Sequence, residues 1–197
     1  MAKGTVFLEM SMSLDGFVAG PNVGVERPMG DHGGARVHDW MFAGKTDQQA
    51  EAFEVKTFAD IGAVVMGRRT FDVGVGPWGD NSTFHAPCFV VSHDAHEPVV
   101  NEGGTTYSFV TDGIEGALEQ AKGAAGDQDV MVMGGANIAQ QFLKARVLDE
   151  IRLHLVPLLV GDGTRLFDDV GPNPIELEAT EVIDDPGVTH FRFRVVN

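Results

Sequence analysis

The sequence has little cysteine, little positive charge and no long hydrophobic run. Its 197 residues include a single cysteine, Cys88, so an internal disulfide is excluded and the fold does not depend on oxidation. No stretch approaches the roughly 18 apolar residues that cross a membrane, and the N-terminus has no apolar signal segment. A cytoplasmic location, with no membrane partner, is therefore the expectation.

The shortage of positive charge limits the class of ligand. Lys and Arg number 14 against 29 Asp and Glu, which gives a formal net charge of -15. Such a surface repels a phosphodiester backbone, so nucleic-acid binding is excluded as a main function. A small anion is still compatible, because a few arginines and helix N-termini can create a local positive field.

The chain also lacks internal repeats, low-complexity tracts and a metal-binding motif. Hydrophobic residues make up 43% of it, which is ordinary globular composition and predicts one domain over residues 1–197. His32 and His38, with Asp31 and Asp39 beside them, are separated by six residues. That spacing lacks the i, i+4 geometry of a helical zinc pair, so no metal is expected.

Short apolar runs separated by Gly and Pro predict an α/β fold. Continuous runs indicate buried strands, whereas the C-terminal third alternates apolar and polar residues and indicates antiparallel strands with one wetter face. The predicted strands are residues 5–12, 63–66, 89–91, 107–110, 130–133, 151–155, 175–180 and 190–195, and the predicted helices are residues 46–60, 113–122 and 137–146. Cys88 precedes one of these runs and is expected to be buried.

Two segments combine a buried strand, a glycine break and a helix start. These are residues 64–71, which contain Gly67 and two arginines, and residues 130–138, which contain Gly134 and Gly135. In open α/β sheets ligands bind at the carboxyl ends of strands, where helix N-termini offer free N–H groups. Each glycine alone is also compatible with a plain turn. The G-x-G-x-x-G fingerprint is absent, so a standard Rossmann domain is not supported.

Four segments in order carry a resemblance to a known family. They are residues 13–19, 65–71, 132–136 and 155–167, the last with a Pro-Leu-x-x-Gly-x-Gly core. Together they resemble the dihydrofolate reductase superfamily, and within it the branch that contains the reductase domain of bacterial riboflavin biosynthesis. The resemblance implies a three-layer α/β fold, with a central mixed sheet of about eight strands flanked by helices. It also implies a homodimer and NADPH as cofactor.

Thirteen residues match segments that meet the cofactor in that superfamily. In this sequence the match assigns the nicotinamide loop to Ala19 and Gly20, one phosphate segment to Gly67, Arg68, Arg69 and Thr70, the adenosine ribose and 2′-phosphate region to Ser92 and His93, and the pyrophosphate loop to Gly134, Gly135, Ala136, Asn137 and Ile138. Arginine, hydroxyl and imidazolium groups are the partners that a dianionic phosphate requires. His93 is equally compatible with a surface loop.

The substrate side has two candidate carboxylates. Glu51 lies near the position of the acid on the first helix of a true dihydrofolate reductase, and Asp47 and Glu54 lie one turn on either side. All three are also compatible with a solvated acidic face. Asp15 is expected near the nicotinamide, where it either touches substrate or caps the turn with Gly16. No cluster of cations for a ribose phosphate is evident.

The predicted function is therefore hydride transfer from NADPH to a C=N or C=O carbon of a small pterin- or aminopyrimidine-like substrate. Three alternatives stay open: true dihydrofolate reductase activity, a non-catalytic nucleotide-binding module of the same fold, and a structural domain in which both glycine segments are turns. The apolar segment 155–160 is the expected two-fold interface.

Overall fold

The computed structural model describes residues 4–42, 60–79 and 84–196. The strands are β1 Val6–Ser13, β2 Phe17–Ala19, β3 Ile61–Gly67, β4 Cys88–Val91, β5 Val99–Val100, β6 Thr106–Val110, β7 Asp129–Gly134, β8 Glu150–Val156, β9 Thr164–Arg165, β10 Glu176–Asp185 and β11 Val188–Val196. The helices are α1 Asp39–Phe42, α2 Arg68–Trp78, α3 Gly113–Ala125 and α4 Ala136–Lys144, and a 3-10 helix, Gly34–His38, precedes α1. Among these described segments, none of the helices has the length and hydrophobicity to span a bilayer.

Nine strands form one mixed sheet, in the order β10-β11-β8-β1-β7-β3-β4-β6-β5. The six neighbouring strands from β8 to β6 pair in parallel, whereas β11, β10 and β5 add antiparallel edges. A separate two-stranded ribbon joins β2 to β9. The predicted mixed sheet is confirmed, with nine strands where about eight were expected.

Buried side chains cover both faces of the sheet, which accounts for the continuous apolar runs. In β1 the side chains of Val6 and Leu8 enter one core cluster and Phe7 enters another, because successive residues of a strand point to opposite faces. Phe142 of α4 packs in the first cluster and Phe71 of α2 in the second. The result is a three-layer fold, as expected.

Most of the predicted elements lie within one or two residues of those observed. Cys88 is buried at the start of β4, and burial raises the pKa of its thiol, as expected for a core side chain. Gly187 has a φ of 85°, which fits the type II turn that the Pro-Gly pair favours between β10 and β11. The helix predicted over residues 46–60 lies, except for its last residue, outside the described part of the chain.

Three predictions of local structure differ from the fold. No strand or helix is predicted between residues 12 and 46, but this stretch contains β2, the 3-10 helix and α1. The short strands β5 and β9 were not predicted. Asp112 precedes α3 as expected, but its side chain makes no capping hydrogen bond.

Candidate functional site

A crevice of about 790 Å³ opens where the parallel strands end. Strands β7, β3 and β4 are neighbours and run in the same direction, so Gly134, Gly67 and Val91, their last residues, lie along one edge of the sheet. Gly67 and Gly135 both line this crevice. Its size is within the range of about 300–1,000 Å³ typical of small-molecule and cofactor sites.

The two glycine corners are joined directly. The N–H of Gly135 donates to the hydroxyl of Thr70 over 2.7 Å, which links the start of α4 to the first turn of α2. At Gly67 an added Cβ would lie 2.8 Å from Cγ1 of Ile138, so a side chain there would push the two helices apart. Gly134 has a φ of 93°, a conformation that glycine adopts without strain. Glycine at both corners therefore allows the two helices to begin side by side.

Both helices present unopposed N-termini to the crevice. Neither α2 nor α4 has an acidic residue in its first turn, and neither Gly67 nor Gly135 provides a side-chain cap. The first N–H groups of a helix lack intrahelical acceptors and carry the positive end of the helix dipole. The crevice thus offers two adjacent sites for anionic groups, despite the net negative charge of the protein.

The two arginines at the start of α2 differ in their surroundings. Arg68 donates to Asp72 over 2.7 Å, contacts the ring of His96 and lies 5.5 Å from the ring centre of Phe109. Arg69 is exposed at the crevice wall. Arg69 is therefore the arginine better placed to meet a ligand.

Most of the residues predicted to meet the cofactor line the crevice. Those that line the crevice are Ala19, Gly67, Arg68, Arg69, Thr70, Ser92, His93, Gly135, Ala136, Asn137 and Ile138. Gly20 and Gly134 adjoin lining residues in sequence but are not themselves part of the lining. Asp94 and His96 also line it and were not predicted.

Asp15 lies outside the crevice wall, in the turn between β1 and β2. Its carboxylate accepts hydrogen bonds from the hydroxyl of Ser13 at 2.6 Å and from the N–H groups of Val160 and Gly161 at 3.1 and 2.7 Å. The Ser13 hydroxyl and these backbone donors, against partial desolvation, lower the pKa of Asp15 to about 2. These contacts favour the turn-capping role over contact with substrate. Glu51, like Asp47 and Glu54, lies outside the described residues.

Sequence reasoning missed a polar group at the other end of the crevice. Glu9, Ser11, Trp40 and His154 line it, and the indole N–H of Trp40 donates to the Ser11 hydroxyl over 3.1 Å. Methionines fill much of the remaining wall, namely Met10, Met29, Met41, Met131 and Met133. The available signal was Glu9 itself, because a carboxylate within an otherwise apolar buried strand requires a partner.

His38 lines the same end. Its Nδ1 atom is buried and has no hydrogen-bond partner within the described ranges. Burial, reinforced by the neighbouring His154 and opposed by Asp39, lowers the pKa of His38 to about 4. His38 is thus neutral at pH 7. Within residues 4–42, 60–79 and 84–196, no group of three or more His, Cys, Asp or Glu is arranged to hold a metal ion.

Known proteins resemble this chain in sequence and in fold. The family described as the RibD C-terminal domain matches residues 4–190. The Bacillus subtilis protein YwjB, which is uncharacterised, is 25% identical over 97% of this chain and 98% of its own length. A protein from Shewanella sp. PV-4 named for riboflavin biosynthesis is 20% identical, with a TM-score of 0.75, over 98% of this chain and 99% of that one.

A dihydrofolate reductase has the same fold. The enzyme from Enterococcus faecalis, solved with NADP(H) and an inhibitor named RAB-propyl, is 14% identical with a TM-score of 0.60. The alignment covers 100% of this chain and 99% of that enzyme. At this identity the likeness shows a shared fold, in agreement with the resemblance in the sequence.

The contacts of Asp15 predict a change in acid stability. A carboxyl whose pKa is lowered by folding stabilises the native state above its ordinary value of 3.8, and this stabilisation disappears as the pH falls towards about 2. The substitution Asp15→Asn should lower the free energy of unfolding at pH 7 and remove this part of the acid dependence. Urea unfolding from pH 2 to pH 7 measures it. Asp168→Asn, at an exposed site, is the control, and identical profiles for wild type and Asp15→Asn would contradict the role.

Proposed function

The chain belongs to the RibD C-terminal domain family, and we propose that it is an NADPH-dependent reductase that transfers a hydride to a small planar heterocycle of the pterin or aminopyrimidine class. The observation that carries the proposal is the hydrogen bond between Gly135 and Thr70. It brings two helix N-termini together at one crevice, which is the arrangement that a ligand with several phosphates requires.

The residues present fit a phosphorylated dinucleotide. Gly135 has no Cβ, and Gly67 lies beside Ile138, so backbone N–H groups are open to a pyrophosphate. Ser92 and His93 follow β4 on the same wall, beyond the arginines of α2. We assign the adenosine end of the cofactor to Arg69, Ser92 and His93, the pyrophosphate to residues 135–138, and the nicotinamide end to the side of Ala19.

Chemistry is divided between the cofactor and the chain. When bound, NADPH supplies the hydride. The protein holds the phosphates, excludes water with the methionine wall and orients the heterocycle. Trp40 offers an aromatic surface and Glu9 offers a carboxyl group, so this end of the crevice suits a flat ring with polar atoms at its rim. A cytoplasmic location stays a prediction of the sequence.

Cofactor binding is the first prediction of this proposal. NADPH at about 100 times its Kd should raise the free energy of unfolding by about 2.7 kcal/mol, because ligand binds only the native state. Fluorescence titration and thermal melting with NADPH and NADH measure binding. NADPH oxidation with dihydrofolate or a ribosylaminouracil then separates an enzyme from a non-catalytic nucleotide-binding module. A folded protein that binds neither nucleotide in a saturable manner would contradict the proposal.

Arg69 is expected to discriminate between the two nucleotides. Loss of one charge-assisted hydrogen bond to the 2′-phosphate removes about 1.5–3 kcal/mol of binding free energy. Arg69→Ala should therefore weaken NADPH about 10- to 100-fold and change NADH little. Arg194→Ala, which removes one positive charge from β11 outside the crevice, is the matched control. If Arg69→Ala lowers the affinity for NADPH and for NADH by the same factor, other residues discriminate between the two nucleotides. Asp94 also lines the crevice.

We also propose a homodimer. Strand β10 is exposed along its whole length at one edge of the sheet, and Leu177, Val182 and Ile183 on it are exposed, as is Leu159 in the segment 155–160. Exposed apolar groups along an open strand edge favour association. Light scattering at micromolar concentration should give a dimeric mass, and a monomeric mass would contradict this proposal.

A further inference from the structure

Three neighbouring strands place polar side chains in a row at the substrate end of the crevice. Ser11 of β1 pairs with His154 of β8, and His154 pairs with His190 of β11. Side chains of directly paired residues lie on the same face of a sheet. Glu9 lies two residues before Ser11 and therefore shares that face. The fold thus aligns one carboxylate and two imidazoles across β1, β8 and β11.

Glu9, His154 and His190 form a hydrogen-bonded chain that ends beside Asp185. Nε2 of His154 lies 3.1 Å from Oε1 of Glu9, and Nδ1 of His154 lies 2.7 Å from Nδ1 of His190. At the far end, Nε2 of His190 lies 3.4 Å from a carboxylate oxygen of Asp185. The ring of Trp40 packs on both imidazoles, with centroid distances of 4.8 and 5.0 Å. Packing and hydrogen bonds together fix the orientation of both rings.

The chain runs from the crevice to the protein surface. The exposed fraction of the side chain is 14% for Glu9, 16% for His154, 21% for His190 and 58% for Asp185. Glu9 and His154 line the crevice, whereas Asp185 lines a second, smaller cavity of about 220 Å³ beside the turn between β10 and β11. One end of the chain therefore meets the ligand space and the other end meets solvent.

Counting protons shows what this chain can do. Two Nδ1 atoms at hydrogen-bond distance share a single proton, so one ring donates and the other accepts. In the arrangement that precedes proton transfer, His190 donates from Nδ1, so His154 accepts there and donates from Nε2 to Oε1 of Glu9. Nε2 of His190 is then unprotonated beside Asp185, where it can accept a proton from solvent. Both nitrogens of His154 are then occupied. Among residues 4–42, 60–79 and 84–196, the contact with His154 uses only Oε1 of Glu9. When Glu9 is a neutral carboxyl group, its own proton then lies on Oε2, which is the atom left to serve a molecule in the crevice.

We propose that Glu9 is the proton donor of the reduction and that His154 and His190 connect it to solvent beside Asp185. This inference rests on the proposed reductase function and names the source of the proton that accompanies the hydride. His154 and His190 act through Glu9 and are positioning and relay residues.

The proton step balances. The substrate carbon accepts a hydride from the reduced nicotinamide, which is oxidised, and the electron pair of the C=N or C=O bond accepts the proton of the Glu9 carboxyl. The Glu9 carboxylate then takes the Nε2 proton of His154, whose Nδ1 takes the Nδ1 proton of His190. His190 recovers a proton at Nε2 from solvent beside Asp185. The net transfer is one proton from solvent to substrate. It leaves the carboxyl proton of Glu9 on Oε1 and both rings in the opposite tautomer, so the carboxyl group and the two rings return to their starting arrangement by proton exchange with solvent before the next turnover.

The electrostatic surroundings of His190 support its role as a neutral relay ring. Burial, together with the neighbouring His154, lowers the pKa of His190 against the opposing effect of Asp185 and Glu9. From the 3-10 helix, His38 faces His154 and is itself neutral at pH 7, with Asp39 beside it. A relay ring that is neutral at working pH can both accept and release a proton.

The substitution Glu9→Gln tests the donor. The amide keeps the shape and can still accept from His154, but it has no acidic proton to give. With a substrate that the wild type turns over, we expect the single-turnover rate at pH 7 to fall at least about 100-fold, the scale of general acid catalysis. The deficit should grow as the pH rises, because only protons from bulk solvent remain, while the Kd for NADPH stays unchanged.

Two further variants distinguish a relay from a structural role. His190→Gln removes the link to Asp185 and leaves Glu9 and His154 in place. It should therefore slow turnover less than Glu9→Gln does, and the turnover rate of His190→Gln should depend less on pH than that of the wild type. Glu178→Gln is the matched control, because it makes the same carboxylate-to-amide change on β10, where Glu178 pairs with Arg194 away from the crevice. It should leave both rate and pH profile unchanged.

A spectroscopic readout does not depend on turnover. In ligand-free protein labelled with ¹⁵N-histidine, a scalar coupling should connect Nδ1 of His154 with Nδ1 of His190 across their shared proton, and Glu9→Gln should change the ¹⁵N chemical shifts of His154. Glu178→Gln should change neither. Absence of the coupling, with ring signals that do not respond to Glu9→Gln, would overturn the connected chain.

The outcomes separate this inference from the proposed function. If the wild type binds NADPH but oxidises it with no probe, the reductase function fails, and the donor assignment fails with it. If the wild type is active and Glu9→Gln keeps its rate, or loses the same fraction at every pH, then the function stands and Glu9 is not the donor. A loss expressed only in KM would likewise assign Glu9 to binding.

Discussion

The hydrogen bond from the Gly135 amide to the Thr70 hydroxyl depends on the parallel pairing of β3 with β7, and the rest of the site depends on both. Parallel pairing brings the ends of the two strands to one edge, and each strand is followed at once by a helix. Because both corners are glycine, the two helices start in contact, with Ile138 packed over Gly67. Any larger residue at Gly67 would separate the N-termini of α2 and α4, which could then no longer act together on one anionic ligand. One short polar contact therefore converts two ordinary strand–helix turns into a single binding surface.

This local arrangement explains how so acidic a protein can hold an anionic ligand. The net charge of -15 spreads over the whole surface and is screened by salt beyond about 10 Å. At the crevice, by contrast, two helix N-termini without acidic residues and the side chain of Arg69 border the space that a ligand would fill. Short-range donors decide binding there, whereas the overall charge decides solubility and the exclusion of polyanions. The two effects act over different distances and do not conflict.

The sequence predicts well which residues line the crevice at the two strand-to-helix corners and predicts its other end poorly, for a physical reason. Gly67, Gly135 and Thr70 occupy strand-to-helix corners, where local pattern and function coincide. The group formed by Glu9, His154 and His190 has no local sequence pattern, because it arises from the register of β1, β8 and β11. Glu9 and His154 are 145 residues apart along the chain, and His154 and His190 are 36 residues apart. Glu9 in an apolar strand indicated a missing partner without identifying it. Asp15 shows the reverse. The Asp15-Gly16 pair is a clear local pattern, but the Asp15 carboxylate stabilises the turn and does not line the crevice.

The C-terminal hairpin formed by β10 and β11 extends the sheet beyond the strands that carry the cofactor wall. His190 and the turn residue Asp185 both belong to it, so the proposed nucleotide site and the proposed proton path lie on different parts of one sheet. The hairpin can therefore change while the strand-to-helix corners stay intact. In a scaffold divided in this way, each part can be altered by mutation while the other keeps its geometry.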